Sequence, residues 1–387
     1  MHAPSLTLMP DLSRPAAELI TSMEPWDQWA GAQAISLWAE LADAATTPNP
    51  FFEHWYLLPA LEAFDADRAA RILAIRTGGR LIGLMPIVMQ RSYQRWPLRH
   101  LASWQHANAF LGTPLVRAGC ETLFWQGLLD WADKAAPDDG ALFLHLPAMP
   151  LEQPLTQCLM DLCFENGRPA GLVMREQRAL LHSPLSPEAY LERALRGKKR
   201  KELRRQHARL AEQGALAFER REDAQGIDAW IETFLALEAA GWKGRSASAM
   251  AFAPETASLF RQALIQAAAL GKLERLSLTL DGRPVAMLAN FITPPGSFSY
   301  KTAFDETLAR FSPGVLLQLE NLALLRRDDV TWCDSCAAPD HPMIDSIWTE
   351  RRPIGRLSVG IGGKIRRAIF KTTLALELQR NPTGIGA

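Results

Sequence analysis

The stretch LERLSLTLDGRPVAMLANFITPPGSFSYKTAFDETLARFSPGVLLQLENLALLR, residues 273–326, carries the reading of the fold. Two strand-like runs, Leu273–Leu280 and Val285–Ile292, flank the turn Asp281-Gly282-Arg283. Asp-Gly between apolar runs predicts a hairpin, because glycine accepts the positive φ of a tight turn. A third run, Ser297–Thr302, follows a Pro-Pro-Gly loop, and Ser312-Pro313-Gly314 then opens the helical run Val315–Arg326. Ser before Pro reads as an N-cap and a first helical residue, since proline already has the helical φ and no N–H to leave unpaired. Three antiparallel strands thus lead into a helix start. Its unpaired backbone N–H groups suit a phosphate and point to a cofactor with a pyrophosphate.

The first half of the chain repeats the pattern. Arg71–Arg76, Thr77-Gly78-Gly79-Arg80 and Leu81–Met89 predict a hairpin in which Arg80 stands where Arg283 stands, 203 residues later (283 − 80). A helix over Glu121–Ala135 and a strand over Ala141–Leu146 follow, as the helix after Ser312 and a strand over Val330–Cys333 follow the second hairpin. Strand–strand–helix–strand twice in one order reads as a duplicated α/β unit. Between the copies lie three helical runs. One starts at Ser186-Pro187 and runs to Gln213, the others span Ile227–Ala240 and Pro254–Leu270, and each stops at a glycine. Gly363–Gln379 predicts a last helix. The expected division is residues 20–180, residues 181–355, and a helical tail over 356–387.

The 387 residues suffice for two cores, and 48% apolar with 22% charged residues is the balance of a water-soluble globular protein. Formal net charge is zero, so no overall field recruits nucleic acid, DNA included, or membrane. No uninterrupted apolar run reaches the roughly 20 residues of a membrane span. Met1–Pro15 lacks the basic start and apolar run of a signal peptide, which makes a cytoplasmic location the expectation. Five cysteines argue against a disulfide framework. Trp332-Cys333-Asp334-Ser335-Cys336 has the letters of a dithiol motif, but Pro339 and Pro342 interrupt the helix that would activate its first thiol. No metal site is expected. Twelve scattered tryptophans read as core packing.

Three constellations carry chemistry. Between Arg193 and Arg209 stand nine Lys or Arg, Lys198 and Lys199 among them, against the single acid Glu202. Leu191, Leu195, Leu203 and Leu210 still mark an apolar stripe, so the run reads as an amphipathic helix facing an anionic partner. Glu238 precedes the turn Gly241-Trp242-Lys243-Gly244 near a helix C-terminus, where the dipole disfavours a negative charge and suits a general base. Tyr300, Lys301 and Asp305 surround the end of the third strand. Alternation should send Tyr300 and Lys301 to opposite faces, so that only one meets a cleft.

Taken together these segments resemble the GNAT-type acyltransferases of the CelD/BcsL group, associated with cellulose or exopolysaccharide biosynthesis. The residues that carry the resemblance are Asn49-Pro50-Phe51-Phe52, the basic run Lys198–Arg205, Leu237-Glu238 with Gly241-Trp242-Lys243-Gly244, Tyr300-Lys301 with Phe304-Asp305, and Ser312-Pro313-Gly314 with Leu316-Leu317. The group is similar to the Fem-type aminoacyl-tRNA-dependent transferases, which carry two tandem GNAT-like domains. The resemblance implies mixed, mostly antiparallel sheets flanked by helices in two tandem domains. It also implies acetyl-CoA or another acyl-CoA as co-substrate, held around Arg310, Ser312, Gly314, Val315 and Leu316, with Lys198 and Lys199 as further phosphate contacts. In one place the chain departs from the family: counted from Arg310, the glycine position of the usual phosphate loop is Pro313, which has no N–H to donate.

The expected activity is transfer of an acyl group, acetyl in the simplest case, to an amine or hydroxyl of a small-molecule, sugar or glycolipid acceptor. Glu238 or Asp305 is the candidate base, with Tyr300 and Lys243 as further catalytic candidates. Two alternatives stand beside it. One is a Fem-like transferase gripping tRNA through the basic helix. The other is a non-catalytic protein docked on an anionic membrane, peripheral at the inner membrane, or on a biosynthetic complex.

Overall fold

The computed structural model describes residues 18–241, 249–380 and 385–386. In the first half, β1 (Leu19–Pro25) leads through α1 (Ala32–Asp43) and α2 (His54–Phe64) to the hairpin β2 (Arg71–Thr77) and β3 (Arg80–Gln90). Then come β4 (His100–Ser103), the short β5 (Leu115–Val116), α3 (Glu121–Asp139), β6 (Phe143–Pro150), α4 (Pro154–Glu165) and β7 (Ala170–Leu181). α5 (Pro187–Ala194) and α6 (Gly197–Ala211) bridge to the second half. That half runs β8 (Leu216–Arg221), α7 (Ile227–Ala240), α8 (Pro254–Ala269), β9 (Leu273–Leu280), β10 (Arg283–Thr293) and β11 (Gly296–Phe304). It continues with α9 (Pro313–Asn321), β12 (Trp332–Asp334), α10 (Pro342–Asp345) and β13 (Glu350–Gly360). α11 (Lys364–Arg380) follows, and β14 (Ile385–Gly386) pairs with β7.

Both predicted hairpins form. Gly78 and Gly79 at one turn, and Asp281 and Gly282 at the other, take the positive φ that tight turns demand. The bridge departs from the expected single helix. Leu195 and Arg196 are extended and separate α5 from α6, because Leu195 turns inward and is buried while Gly197 restarts the helix.

The two halves share one fourteen-stranded sheet, with the main path β1-β2-β3-β4-β6-β13-β7-β12-β11-β10-β9-β8. Read from either end, three antiparallel neighbours are followed by a parallel pair, β4 with β6 and β11 with β12. Helices fall at matching places: two between the first and second strands, one before the parallel partner. The duplication is therefore structural, and the fold is a tandem α/β arrangement with a mixed, mostly antiparallel sheet flanked by helices.

The halves exchange their last strands. β7 pairs with β12 of the second half, β13 pairs with β6 of the first, and β7 and β13 pair with each other from Glu350–Leu180 to Val359–Ala170. Residues 180 and 355 both lie within these seam strands. Trp29, Trp38, Trp55, Trp125 and Trp348 are fully buried and serve packing, whereas Trp96 is half exposed and Trp242 lies outside the described residues. Lys272, just before β9, donates to the buried carboxylate of Glu53 at 2.5 Å, and burial pushes that carboxyl above its ordinary range despite the pull of the lysine.

At the seam, a Cβ on Gly355 would lie 2.7 Å from Leu151 Cδ2 and 3.1 Å from the Met174 carbonyl oxygen, and would meet Leu172 Cδ1 closer still. Gly355→Val should destabilise the chain by about 1–3 kcal/mol through overpacking. Thermal unfolding followed by circular dichroism should show a lower Tm within one cooperative transition, because this strand belongs to both halves.

Candidate active site

β11 and β12 run together only briefly. Gly296, Ser297 and Phe298 pair in parallel with Trp332, Cys333 and Asp334. β11 then continues to Phe304 along β10, with no strand on its other side among the described residues. Where a parallel pair parts, alternate N–H and C=O groups of the longer strand lose their ladder partners and face the gap. The result is a fork whose open edge is the stretch Ser299–Phe304.

A bulge re-aims the side chains on this edge. Ala289 pairs with Lys301 and Asn290 with Ser299, which leaves Tyr300 as the extra residue. The expected alternation is therefore broken, and both Tyr300 and Lys301 reach the first half. The hydroxyls of Tyr300 and Tyr56 lie 3.1 Å apart, and Tyr56 donates to the Asn108 carbonyl at 2.6 Å. Lys301 Nζ donates to Asn108 Oδ1 at 2.8 Å and stands 5.2 Å from the centre of the Phe110 ring. Burial pushes both phenols well above their ordinary values. His106 stacks on Tyr56, and burial, with Lys301 nearby, holds its imidazole down to about 3.

α9 starts at the far end of β11. A Cβ on Gly314 would lie 2.8 Å from Met343 Sδ and 3.1 Å from the Phe304 ring, so the helix start sits directly on the strand end. Ser312 is not the expected side-chain cap. It takes a left-handed φ of 54°, donates its N–H to the Ala309 carbonyl at 2.9 Å and accepts from Leu316 N at 3.0 Å. The physical reason lies on both sides of it. A 3-10 turn, Glu306–Phe311, runs into the helix, and Pro313 disfavours the right-handed helical region for the residue before it. The N–H groups of Gly314 and Val315 have no carbonyl to meet within the helix. Beneath α9, a buried chain fixes its height over the sheet: Asn290 Nδ2 donates to Glu274 at 2.8 Å and to Asn321 at 2.7 Å, and Asn321 donates to Gln318 at 3.1 Å.

The two candidate bases stand in different surroundings. Glu238 is buried at the end of α7, where one carboxylate oxygen accepts from Met250 N at 2.9 Å. With Leu237, Gly241, Thr302, Ala303, Phe304 and Glu306 it lines a cavity of about 30 Å³ against the open edge of β11. Asp305 instead caps the 3-10 turn, accepting from Thr307 N at 2.9 Å and Thr307 Oγ1 at 2.6 Å, with Arg283 at 3.7 Å. Lys243 lies outside the described residues. Arg310 is exposed with its guanidinium 4.6 Å from the Phe311 ring centre, just ahead of α9. α6 meets this region through Leu210, which packs with Phe311, Leu316 and Leu317. Lys198 and Lys199 are exposed at the other end of α6, about 18 Å along its axis at 1.5 Å per residue.

Tyr56, His106 and Asn108 were not singled out from the sequence. The nearest signal is Asn49-Pro50-Phe51-Phe52, where Asn49 caps a turn that sets Phe51 among Tyr56, Phe110, Phe298 and Tyr300. Burial pushes the thiols of Cys333 and Cys336 up, opposite to what an activated dithiol requires. Among the described residues no group of three or more His, Cys, Asp or Glu is placed to hold a metal ion.

Residues 197–341 match the family model of an acetyltransferase (GNAT) domain, and this stretch contains α6, Glu238, the fork and the start of α9. No curated protein matches the chain in sequence. Among solved structures, FemX is similar over 87% of this chain and 98% of its own, at 10% identity and a TM-score of 0.56. A conserved protein of unknown function from Bacteroides thetaiotaomicron is similar over 84% of this chain and 97% of its own, at 8% identity and a TM-score of 0.52. By fold the chain is a tandem α/β protein, and its second half contains the stretch that matches an acetyltransferase (GNAT) domain.

The chain has four tyrosines, Tyr56, Tyr93, Tyr190 and Tyr300, and burial raises all four, Tyr190 to about 12. Spectrophotometric titration should find almost no tyrosinate in the folded protein near pH 10, and all four phenols ionising together once it unfolds. The unfolded chain releases these protons first. Their contribution to stability is thus complete below about pH 10 and is lost as the pH climbs through the folded values.

Proposed function

We propose that the protein moves an acyl group from an acyl-CoA, acetyl-CoA in the simplest case, to an amine or hydroxyl of a small-molecule, sugar or glycolipid acceptor. The observation that carries this reading is the fork between β11 and β12, lying within the matched acetyltransferase stretch and ending at the start of α9. Backbone N–H groups that the open edge of β11 turns away from β10 suit a thioester carbonyl whose oxygen gains negative charge in the transition state. The pyrophosphate would meet the N–H groups of Gly314 and Val315, with Arg310 beside them, while Leu316 N–H stays on the Ser312 carbonyl. This shift by one residue accommodates Pro313.

Glu238 takes the proton of the acceptor's amine or hydroxyl, directly or through one water, as the nucleophile attacks the thioester carbon. The tetrahedral intermediate collapses, the C–S bond breaks, and CoA leaves as a thiolate that takes up a proton. Tyr300, kept protonated by its surroundings, is the nearest neutral donor on the strand. Asp305, committed to its turn, becomes a positioning residue for the strand end. The loop around Asn108 and Phe110 shapes the acceptor side, which gives the first half a share in the site. An acceptor drawn from polysaccharide or cell-envelope synthesis accords with the resemblance to the CelD/BcsL group.

Calorimetric titration with acetyl-CoA tests the reading. The wild-type chain should bind in the micromolar range. Arg310→Glu, at an exposed position, should weaken binding about tenfold, or about 1.4 kcal/mol. Glu238→Gln should keep the binding and lower turnover on a responsive acceptor by roughly a hundredfold. A wild-type chain that binds no acyl-CoA but binds tRNA with steep salt dependence would replace this reading with the aminoacyl-tRNA one, in which the exposed cations of α6 grip the nucleic acid.

A further inference from the structure

We propose that the outward face of α11, with the neighbouring loop 91–99, is a docking surface for an anionic lipid bilayer. The argument starts from the two apolar stripes of α11. Phe370 and Leu374 are buried against the sheet, where they pack with Phe143 and Val173. At 100° per residue, Ile365, Ala368, Ile369, Thr372 and Leu376 form a second stripe on the opposite side. That stripe faces solvent: Ile365 is 79% exposed, Ile369 49% and Leu376 53%.

Cations flank it on both sides. Lys364 and Lys371 are exposed along one flank, and Arg380 stands on the other with its guanidinium 5.9 Å from the ring centre of Trp96, itself 50% exposed. The loop adds Arg91 and Arg95, both exposed. It is fastened to the helix by Tyr93, which donates to Glu377 at 2.6 Å, and by Gln94, which donates to the same oxygen at 3.3 Å. Those bonds turn the only acid of α11 inward, so neither the helix nor the loop exposes a carboxylate.

An apolar stripe bordered by Lys and Arg, with a Trp at the edge, is the pattern of a helix lying in the plane of a membrane interface. Charge selects the occupant. A second copy of this patch would set cations against cations, whereas anionic headgroups neutralise them as the isoleucines enter the acyl boundary. Among the described residues no helix is long and apolar enough to cross a membrane, so the contact is one of lying on the surface.

Co-sedimentation of the full chain with vesicles tests this, whether or not acyl transfer is found. The protein should partition onto phosphatidylcholine vesicles containing phosphatidylglycerol, weakly or not at all onto phosphatidylcholine alone, and less as salt rises. The double variant Ile365→Glu with Ile369→Glu should lower that partition about tenfold or more, and Lys364→Glu with Lys371→Glu should do the same. Both pairs are solvent-exposed, so thermal unfolding should be unchanged, as should the acetyl-CoA titration. Equal partition of wild type and variants would overturn the proposal, as would absence of binding to the anionic vesicles. Concentration-dependent dimers in sedimentation velocity that Ile365→Glu dissolves would assign the patch to a second copy, which also overturns it.

Discussion

Pairing between β7 and β13 is the constraint on which the rest of the structure depends. A sheet edge presents rows of unpaired N–H and C=O groups, and a protein must cover them or expose them. Here the open edge of β6 is covered by a strand from the end of the second half, and that of β12 by a strand from the end of the first. Neither half completes its sheet from its own contiguous residues. The seam therefore fixes how the two copies face each other, and that orientation sets the loop around Asn108 against Tyr300 and Lys301.

The vertex of the fork is held by charge as well as by pairing. Arg178 and Arg352 are cross-strand partners at the seam, and both are buried. Asp334, at the point where β12 leaves β11, accepts from Arg352 at 3.0 Å, lies 3.5 Å from Arg178 and accepts from the Cys336 backbone at 2.9 Å. Arg352 also stacks 4.5 Å from the Trp332 ring centre. Two buried guanidiniums side by side repel unless an anion lies between them, and the anion here belongs to the strand that must turn away. The same carboxylate thus neutralises the seam and orders the chain beyond the vertex. With the polar chain under α9, it leaves the open edge of β11 bounded by fixed elements at both ends.

Much of this architecture is written locally. Asp281-Gly282 and Gly78-Gly79 announce their hairpins because φ sterics are a property of the residue itself, and Pro254 and Pro313 mark helix starts for the same reason. The duplicated order of elements, the acetyltransferase resemblance and the region of the fork were legible on that basis. What was hidden depends on partners far along the chain. The bulge at Tyr300 arises from register with Asn290, which no local pattern encodes. Ser312 has the letters of a cap, yet the turn arriving from Phe311 leaves it a left-handed conformation instead. Leu195 continues the leucine spacing of one long helix, and only its burial shows the break. Tyr56 is a fully buried aromatic of the first half, and nothing local in its sequence shows that its hydroxyl meets Tyr300 of the second.

The exchanged strands have a consequence for the chain as it is made. β6 ends at residue 150, but the strand that covers its edge ends at residue 360. During synthesis at roughly 5–20 residues per second, the first half waits about 10 to 40 s with that edge bare. Throughout that interval it is a nascent sheet that can recruit the wrong neighbour, another nascent chain included. The order of the gene thus makes the ribosome a party to this fold: the first half is the first to emerge and among the last to close.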